Sequence, residues 1–145
     1  ISSFYQIKTL KPKYAIKKSR NKQDIILAPN SGDEKNEFSD IFWIKELRKI
    51  NPKVITILGD RDNKKLAESI HKKGFKVQNL SRKLKFELFL KKIEQAKIVL
   101  TIDSFPSHYS AYVGSETHIF FKKNANHERW GAVGKNVKKH VTNIL

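Results

Sequence analysis

The stretch that most constrains this chain is Ile98-Val99-Leu100-Thr101-Ile102-Asp103-Ser104-Phe105-Pro106-Ser107-His108-Tyr109-Ser110-Ala111. Its first five residues are apolar or β-branched with no polar alternation, which predicts a strand buried on both faces of a parallel sheet. Asp103-Ser104 then turns the chain, Ser104 has the side chain of an N-cap, and Pro106 suits the first turn of a helix. Strand, polar turn and helix start place Asp103, Ser104 and His108 at the carboxyl edge of a sheet. Open α/β sheets bind ligands at that edge, and a helix N-terminus there favours anions. A buried strand joined to a helix by an ordinary capped turn accounts for the same residues.

Further runs repeat the pattern. Asp24-Ile25-Ile26-Leu27-Ala28 and Val54-Ile55-Thr56-Ile57-Leu58 predict core strands, with shorter strands at Phe75-Lys76-Val77 and His118-Ile119-Phe120-Phe121 and an edge strand at Lys13-Tyr14-Ala15-Ile16. Ser39 suits the cap of a helix carrying Ile41, Ile44, Leu47 and Ile50 at helical spacing, ended by Asn51-Pro52. A second helix, from about Asn63 to Gly74, turns Leu66, Ala67 and Ile70 inward. A third is marked by Phe86, Phe89, Leu90 and Ile93, and a closing one by Val137, Val141, Ile144 and Leu145. Strands alternating with single helices require parallel pairing through crossovers. The expected fold is therefore α/β: a Rossmann-like parallel sheet with helices on both faces, over residues 13–145. Residues 1–12 read as a linker or the end of an incoming segment.

Composition narrows the partners. The 145 residues are the size of one domain, and with no cysteine there is no disulfide, thiolate metal site or cysteine nucleophile. Neither a membrane span nor a signal peptide is apparent. With no methionine, even at position 1, the chain reads as part of something longer or as a processed product. The net charge of +16 points to an anionic partner: nucleic acid, a phosphorylated glycolipid or an anionic membrane face. The lysines are spread over helix faces, as on a solvated surface, and no basic-aromatic platform for single-stranded nucleic acid is evident.

The loop after the first core strand brings Ser31 and Gly32, whose backbone can approach a phosphate, and Lys35, which can supply charge. The glycine pattern of a dinucleotide fingerprint and the Walker A loop are both missing. Asp60-Arg61-Asp62 reads first as capping of the following helix, second as a ribose contact, and last as a divalent-metal triplet. His71, His118, His127 and His140 lack ligand spacing. Asp103 and Ser104 are adjacent and no nucleophile elbow is present, which argues against a Ser-His-Asp hydrolase.

With these residues in view, the chain resembles the C-terminal half of glycosyltransferase family 9, the heptosyltransferases of lipopolysaccharide core synthesis. The likeness rests on Ala28-Pro29-Asn30-Ser31-Gly32 with Lys35, on Leu58-Gly59-Asp60-Arg61-Asp62, on the Asn79-Leu80-Ser81 turn before the Phe86–Ile93 helix, and above all on Asp103-Ser104-Phe105-Pro106-Ser107-His108 with Ala111 and Gly114. Two positions depart: Phe105 stands where the family has glycine, and Arg82-Lys83 follow Ser81 where it carries another. The resemblance implies the donor-binding domain of a two-domain GT-B enzyme, metal-independent and inverting, with an ADP- or UDP-sugar as substrate and no other cofactor. It implies that Ser31, Lys35, Asp103, Ser104, Phe105, Pro106, Ser107 and His108 meet the donor's phosphates and sugar. Gly59, Asp60, Asp62 and Leu80 would meet ribose and base. The acceptor, a glycolipid or glycan, and the general base would belong to a missing N-terminal domain, and the location would be the cytoplasm, on the inner face of a bacterial membrane. A non-catalytic basic module binding nucleic acid or anionic lipid, and a degenerate transferase domain, are the alternatives.

Overall fold

The structure, a computed structural model, describes residues 24–123 and 131–143. Six strands and four α-helices follow in order among the described residues, with a 3-10 turn at Glu34–Asn36 after the first strand: β1 Asp24–Ala28, α1 Asp40–Ile50, β2 Val54–Ile57, α2 Lys64–Lys72, β3 Val77–Asn79, α3 Phe86–Gln95, β4 Ile98–Ile102, α4 Phe105–Tyr112, β5 Glu116–Lys122 and β6 Val137–Thr142. The strands form one sheet in the order β3-β2-β1-β4-β5-β6, and every neighbouring pair is parallel. From β1 in the middle of the sheet the described chain winds outward to β3, and it returns to place β4 on the other side of β1. Strand order therefore reverses between β1 and β4, the position at which open α/β sheets leave a crevice.

Alternation along the strands builds a core on each face of the sheet, with a smaller cluster of Ile119, Phe121 and Ala132 beside β5. Ile25, Leu27, Ile55, Ile57, Leu100 and Ile102 pack with Phe42, Trp43, Leu47 and Ile70 of α1 and α2. Ile26 and Val99 point to the opposite face, where Leu58, Ile93, Ala96 and Val113 close a second core. Both faces of the central strands are covered, which is why they read as runs of apolar and β-branched residues. Ser39 caps α1 as expected, its Oγ accepting from Phe42 N at 3.3 Å.

The apolar stripe of α1 is rotated from the sequence expectation. Ile41 is 80% exposed, while Phe42 and Trp43 are buried. Trp43 stands edge-on to Phe120 of β5 at 5.5 Å and to Phe42 at 5.1 Å. Burial of an aromatic side chain of this size is worth roughly 2–3 kcal/mol, more than an isoleucine recovers at a helix edge, so the rings take the sheet face.

Two elements differ from the reading of the sequence. The third strand lies at Val77–Asn79 rather than Phe75–Val77, paired in the register Ile55↔Val77 and Ile57↔Asn79. The expected closing helix is instead β6, paired with β5 from Thr117↔Val137 to Lys122↔Thr142. A spacing of four between Val137 and Val141 suits a helix or one face of a strand equally, and the β-branched Val137, Val141 and Thr142 favour the strand. Asn136 fixes its start, its Nδ2 donating to the carbonyls of Ala111 at 3.1 Å and Ser115 at 2.6 Å. Lys138 and Lys139 then line an edge strand, a placement that discourages further pairing. The expected linker at 1–12 and edge strand at 13–16 lie outside the described residues, as do His127, Trp130, Ile144 and Leu145.

Candidate functional site

The carboxyl ends of β1, β2, β3 and β4 enclose a cavity of about 520 Å3 at the reversal of strand order. Its inner wall is apolar: Ala28, Leu58, Leu80 and Leu84, with Phe86 and Phe89 from α3. Its rim is polar: Asn30, Ser31 and Gly32 after β1, Gly59 and Asp60 after β2, Arg82 after β3, and Ser104 after β4. Phe105 and Pro106, opening α4, complete it.

The loops that form the rim are tied together by side chains. Asn30 and Asn63 exchange reciprocal amide hydrogen bonds, at 3.2 Å and 2.8 Å, across the end of β2. Ser81 Oγ accepts from Asn63 N at 3.2 Å and donates to Asn79 Oδ1, carrying the link to β3. Gly59 lies directly under the Asn30–Asn63 pair. A Cβ there would come within 2.8 Å of Asn63 Nδ2 and closer still to Asn30 Oδ1. Any larger residue here would force the amide pair above it to shift, a constraint that does not depend on a ligand.

Arg61 clasps the loop after β1. It donates to the Ser31 carbonyl at 2.7 Å and to Glu34 Oε1 at 2.5 Å, and it pairs with Glu37. Glu37 Oε1 in turn accepts from the Ser31 amide at 2.9 Å. Asp62 does what capping requires: its Oδ1 accepts from Lys64 N at 3.0 Å at the start of α2.

The residues singled out in the sequence fall into two groups. Ser31, Gly59, Asp60, Leu80, Ser104, Phe105 and Pro106 line the cavity. Lys35, Asp62, Asp103, Ser107 and His108 do not. Lys35 is exposed, and its carbonyl accepts from Lys122 Nζ at 2.5 Å. His108 Nε2 stands 3.5 Å from Asp103 Oδ1, with both side chains partly exposed.

The amides expected at the start of α4 are mostly committed. Ser107 N donates to the Ser104 carbonyl at 3.1 Å, Ser104 N reaches Ser107 Oγ at 3.4 Å, and Pro106 has no N–H. The tight first turn thus satisfies the Ser104 and Ser107 amides itself, which weakens the helix N-terminus as a donor set for an anion. The Phe105 amide is without an acceptor among the described residues.

Two features escaped the sequence reading. Arg82 occupies the left-handed region at φ 59°, its amide bonded to the Gly59 carbonyl at 2.9 Å. A non-glycine residue there is uncommon, and the conformation aims an arginine at the cavity. The second is an aromatic wall. Phe105, 51% exposed, stacks on Tyr109 at 5.8 Å and 12° and on Phe89 at 6.4 Å and 28°, with Phe86 at 5.8 Å.

Among the described residues, no group of three or more His, Asp or Glu is placed to hold a metal ion, and no helix is long and apolar enough to cross a membrane.

Sheet order, crevice and cavity together define a Rossmann-like α/β domain with a ligand-sized cavity at its switch point. Among solved structures this domain is similar to glycosyltransferases. The glycosyl transferase family 9 protein from Veillonella parvula DSM 2008 superposes with a TM-score of 0.71 at 12% identity, over 97% of this chain and 39% of that one. E. coli heptosyltransferase WaaC, solved with ADP, gives 0.70 at 16% identity, over 95% of this chain and 42% of that one. E. coli ADP-heptose lps heptosyltransferase II gives 0.70 at 11% identity, over 83% and 39%. The chain thus spans about two fifths of the length of each, and at these identities the likeness is one of fold. No protein-family model matches the sequence. No curated protein matches it either.

Proposed function

We propose that this chain is the donor-binding half of a heptosyltransferase-like glycosyltransferase, and that its cavity receives the nucleotide of an ADP- or UDP-sugar. The observation that carries the reading is the cavity at the β1–β4 switch point of a fold shared with heptosyltransferases, one of which was solved with ADP. The apolar inner wall suits a nucleobase, and the polar rim suits ribose and phosphates. Asp103 and His108, paired just beyond β4 and outside the cavity lining, are left for the transferred sugar. Stabilising the departing diphosphate is the electrostatic part of such a transfer. In this reading the reaction inverts the sugar and uses no metal. The general base and a glycolipid or glycan acceptor belong to a second half, on the cytoplasmic face of a bacterial membrane.

The test is calorimetry with ADP, UDP and their sugar esters, on wild type and on Gly32→Glu. A Cβ at Gly32 meets nothing within 4 Å, so the variant keeps the fold while placing a carboxylate on the rim. Repulsion of roughly 1 kcal/mol or more should weaken diphosphate binding at least about fivefold. Failure of wild type to bind any nucleotide would reject the reading. The basic-module alternative expects steeply salt-dependent binding to any polyanion, indifferent to Gly32→Glu.

A further inference from the structure

Two features of the cavity belong to this chain's own departures from the pattern it resembles, and they point in one direction. The cavity's arginine is Arg82, which lines it and makes no ion pair or side-chain hydrogen bond among the described residues. By contrast Arg61 is consumed by Glu34, Glu37 and the Ser31 carbonyl, and Lys35 stands outside the lining. Holding Arg82 at φ 59° is a costly conformation for a residue with a Cβ, and the Gly59 carbonyl fixes it there. Across the cavity, Phe105 keeps about half its surface open although it is braced by Phe86, Phe89 and Tyr109. Its amide is the free donor of the first turn of α4.

A guanidinium and an aromatic wall that line one cavity are complementary to a ligand that joins an anion to a flat ring. We propose that Arg82 is the phosphate-binding cation of this site and that Phe105 stacks on the nucleobase of the same ligand. The proposal rests on the nucleotide-sugar reading and refines it: anion recognition sits on the β3 side of the cavity, and the start of α4 supplies stacking plus one amide. Guanidinium offers two parallel donors to a phosphate, and an aromatic face accepts any base without hydrogen-bond readout. Phe105 is thereby a specificity determinant for ligands with a planar ring, and Arg82 for charged over neutral ones.

The experiment measures ADP, adenosine and inorganic pyrophosphate by calorimetry on the whole chain, with Arg82→Gly, Phe105→Leu and Lys35→Gln. Glycine suits φ 59° and leucine keeps apolar bulk, so both variants should fold, which circular dichroism verifies. Arg82→Gly should weaken ADP and pyrophosphate about tenfold and leave adenosine within about twofold. Phe105→Leu should weaken ADP and adenosine about tenfold and leave pyrophosphate unchanged. Lys35→Gln should change ADP by less than about twofold. If Lys35→Gln costs more than Arg82→Gly, or if Phe105→Leu spares adenosine, this assignment is wrong while the nucleotide reading stands. If wild type binds no nucleotide, both fall together.

Discussion

The substitution Gly59→Ala isolates the amide clasp that shapes the cavity. The new methyl would collide with Asn30 Oδ1 and sit 2.8 Å from Asn63 Nδ2, so the reciprocal pair must open. Two hydrogen bonds, at 3.2 Å and 2.8 Å, are lost, each worth about 1 kcal/mol net. Asn63 is buried at 7% exposure, and leaving its amide underused adds about another 1 kcal/mol. Against this stands the reduced entropy of the unfolded chain, which favours alanine over glycine by roughly 0.4–1 kcal/mol. The balance is a loss of about 2 kcal/mol, or roughly 4–8 °C in Tm for a chain of this size. Urea unfolding at unchanged m-value reads the loss directly. The same substitution in an Asn30→Ala background meets no clash with residue 30 and should cost less than about 1 kcal/mol, a coupling that a double-mutant cycle resolves. A loss below about 0.5 kcal/mol in wild type, or an equal loss in both backgrounds, would refute the clasp as the reason for this glycine.

Two other predictions address different parts of the molecule. Arg82→Gly should stabilise the folded chain by about 1 kcal/mol by relieving the left-handed backbone, even as it weakens anion binding; a destabilised variant would show that the side chain has a packing role instead. At the β5–β6 edge, His118 Nδ1 lies 2.9 Å from His140 Nε2, while His118 Nε2 lies 2.9 Å from Glu116 Oε1. Burial first, then the neighbouring His118, lowers the His140 pKa, so the fold prefers its neutral form. The hydrogen bond from His118, opposed by burial and helped by Lys138, lowers the Glu116 pKa. Both shifts have the same sign: stability is present above the unfolded values and is lost as pH falls through the folded ones. Lys49, Lys138 and Glu46 also act on His140, so the comparison is made against His140→Gln at constant salt. Wild type should lose more stability than His140→Gln as pH falls below about 6.5. Parallel curves for the two proteins would remove His140 as the cause.

The parts of this molecule that the sequence disclosed are those written in local periodicity. Ile25 to Ala28, Val54 to Ile57 and Ile98 to Ile102 read as sheet-core strands because they are apolar or β-branched throughout and no charged residue interrupts them. The cap at Ser39 and the turn at Asp103-Ser104 are equally local. Where two periods coincide, the reading failed: Val137 and Val141 satisfy both a helix and a strand, and only the partner strand β5 and the Asn136 anchor decide between them. The site was legible at the level of which strand ends form it, since topology places those ends together wherever the strands are found. Its tethers were not. Asn30 meets Asn63 across 33 residues and Arg61 meets Ser31 across 30, and neither pair carries a spacing that a linear pattern could reveal. Arg82 was the harder case. In the sequence it marked only a departure from the family pattern, whereas the backbone holds it in the left-handed region at φ 59°. A residue that holds a costly conformation while adding a charged side chain to a cavity is accounted for, under the proposal above, by what that side chain binds.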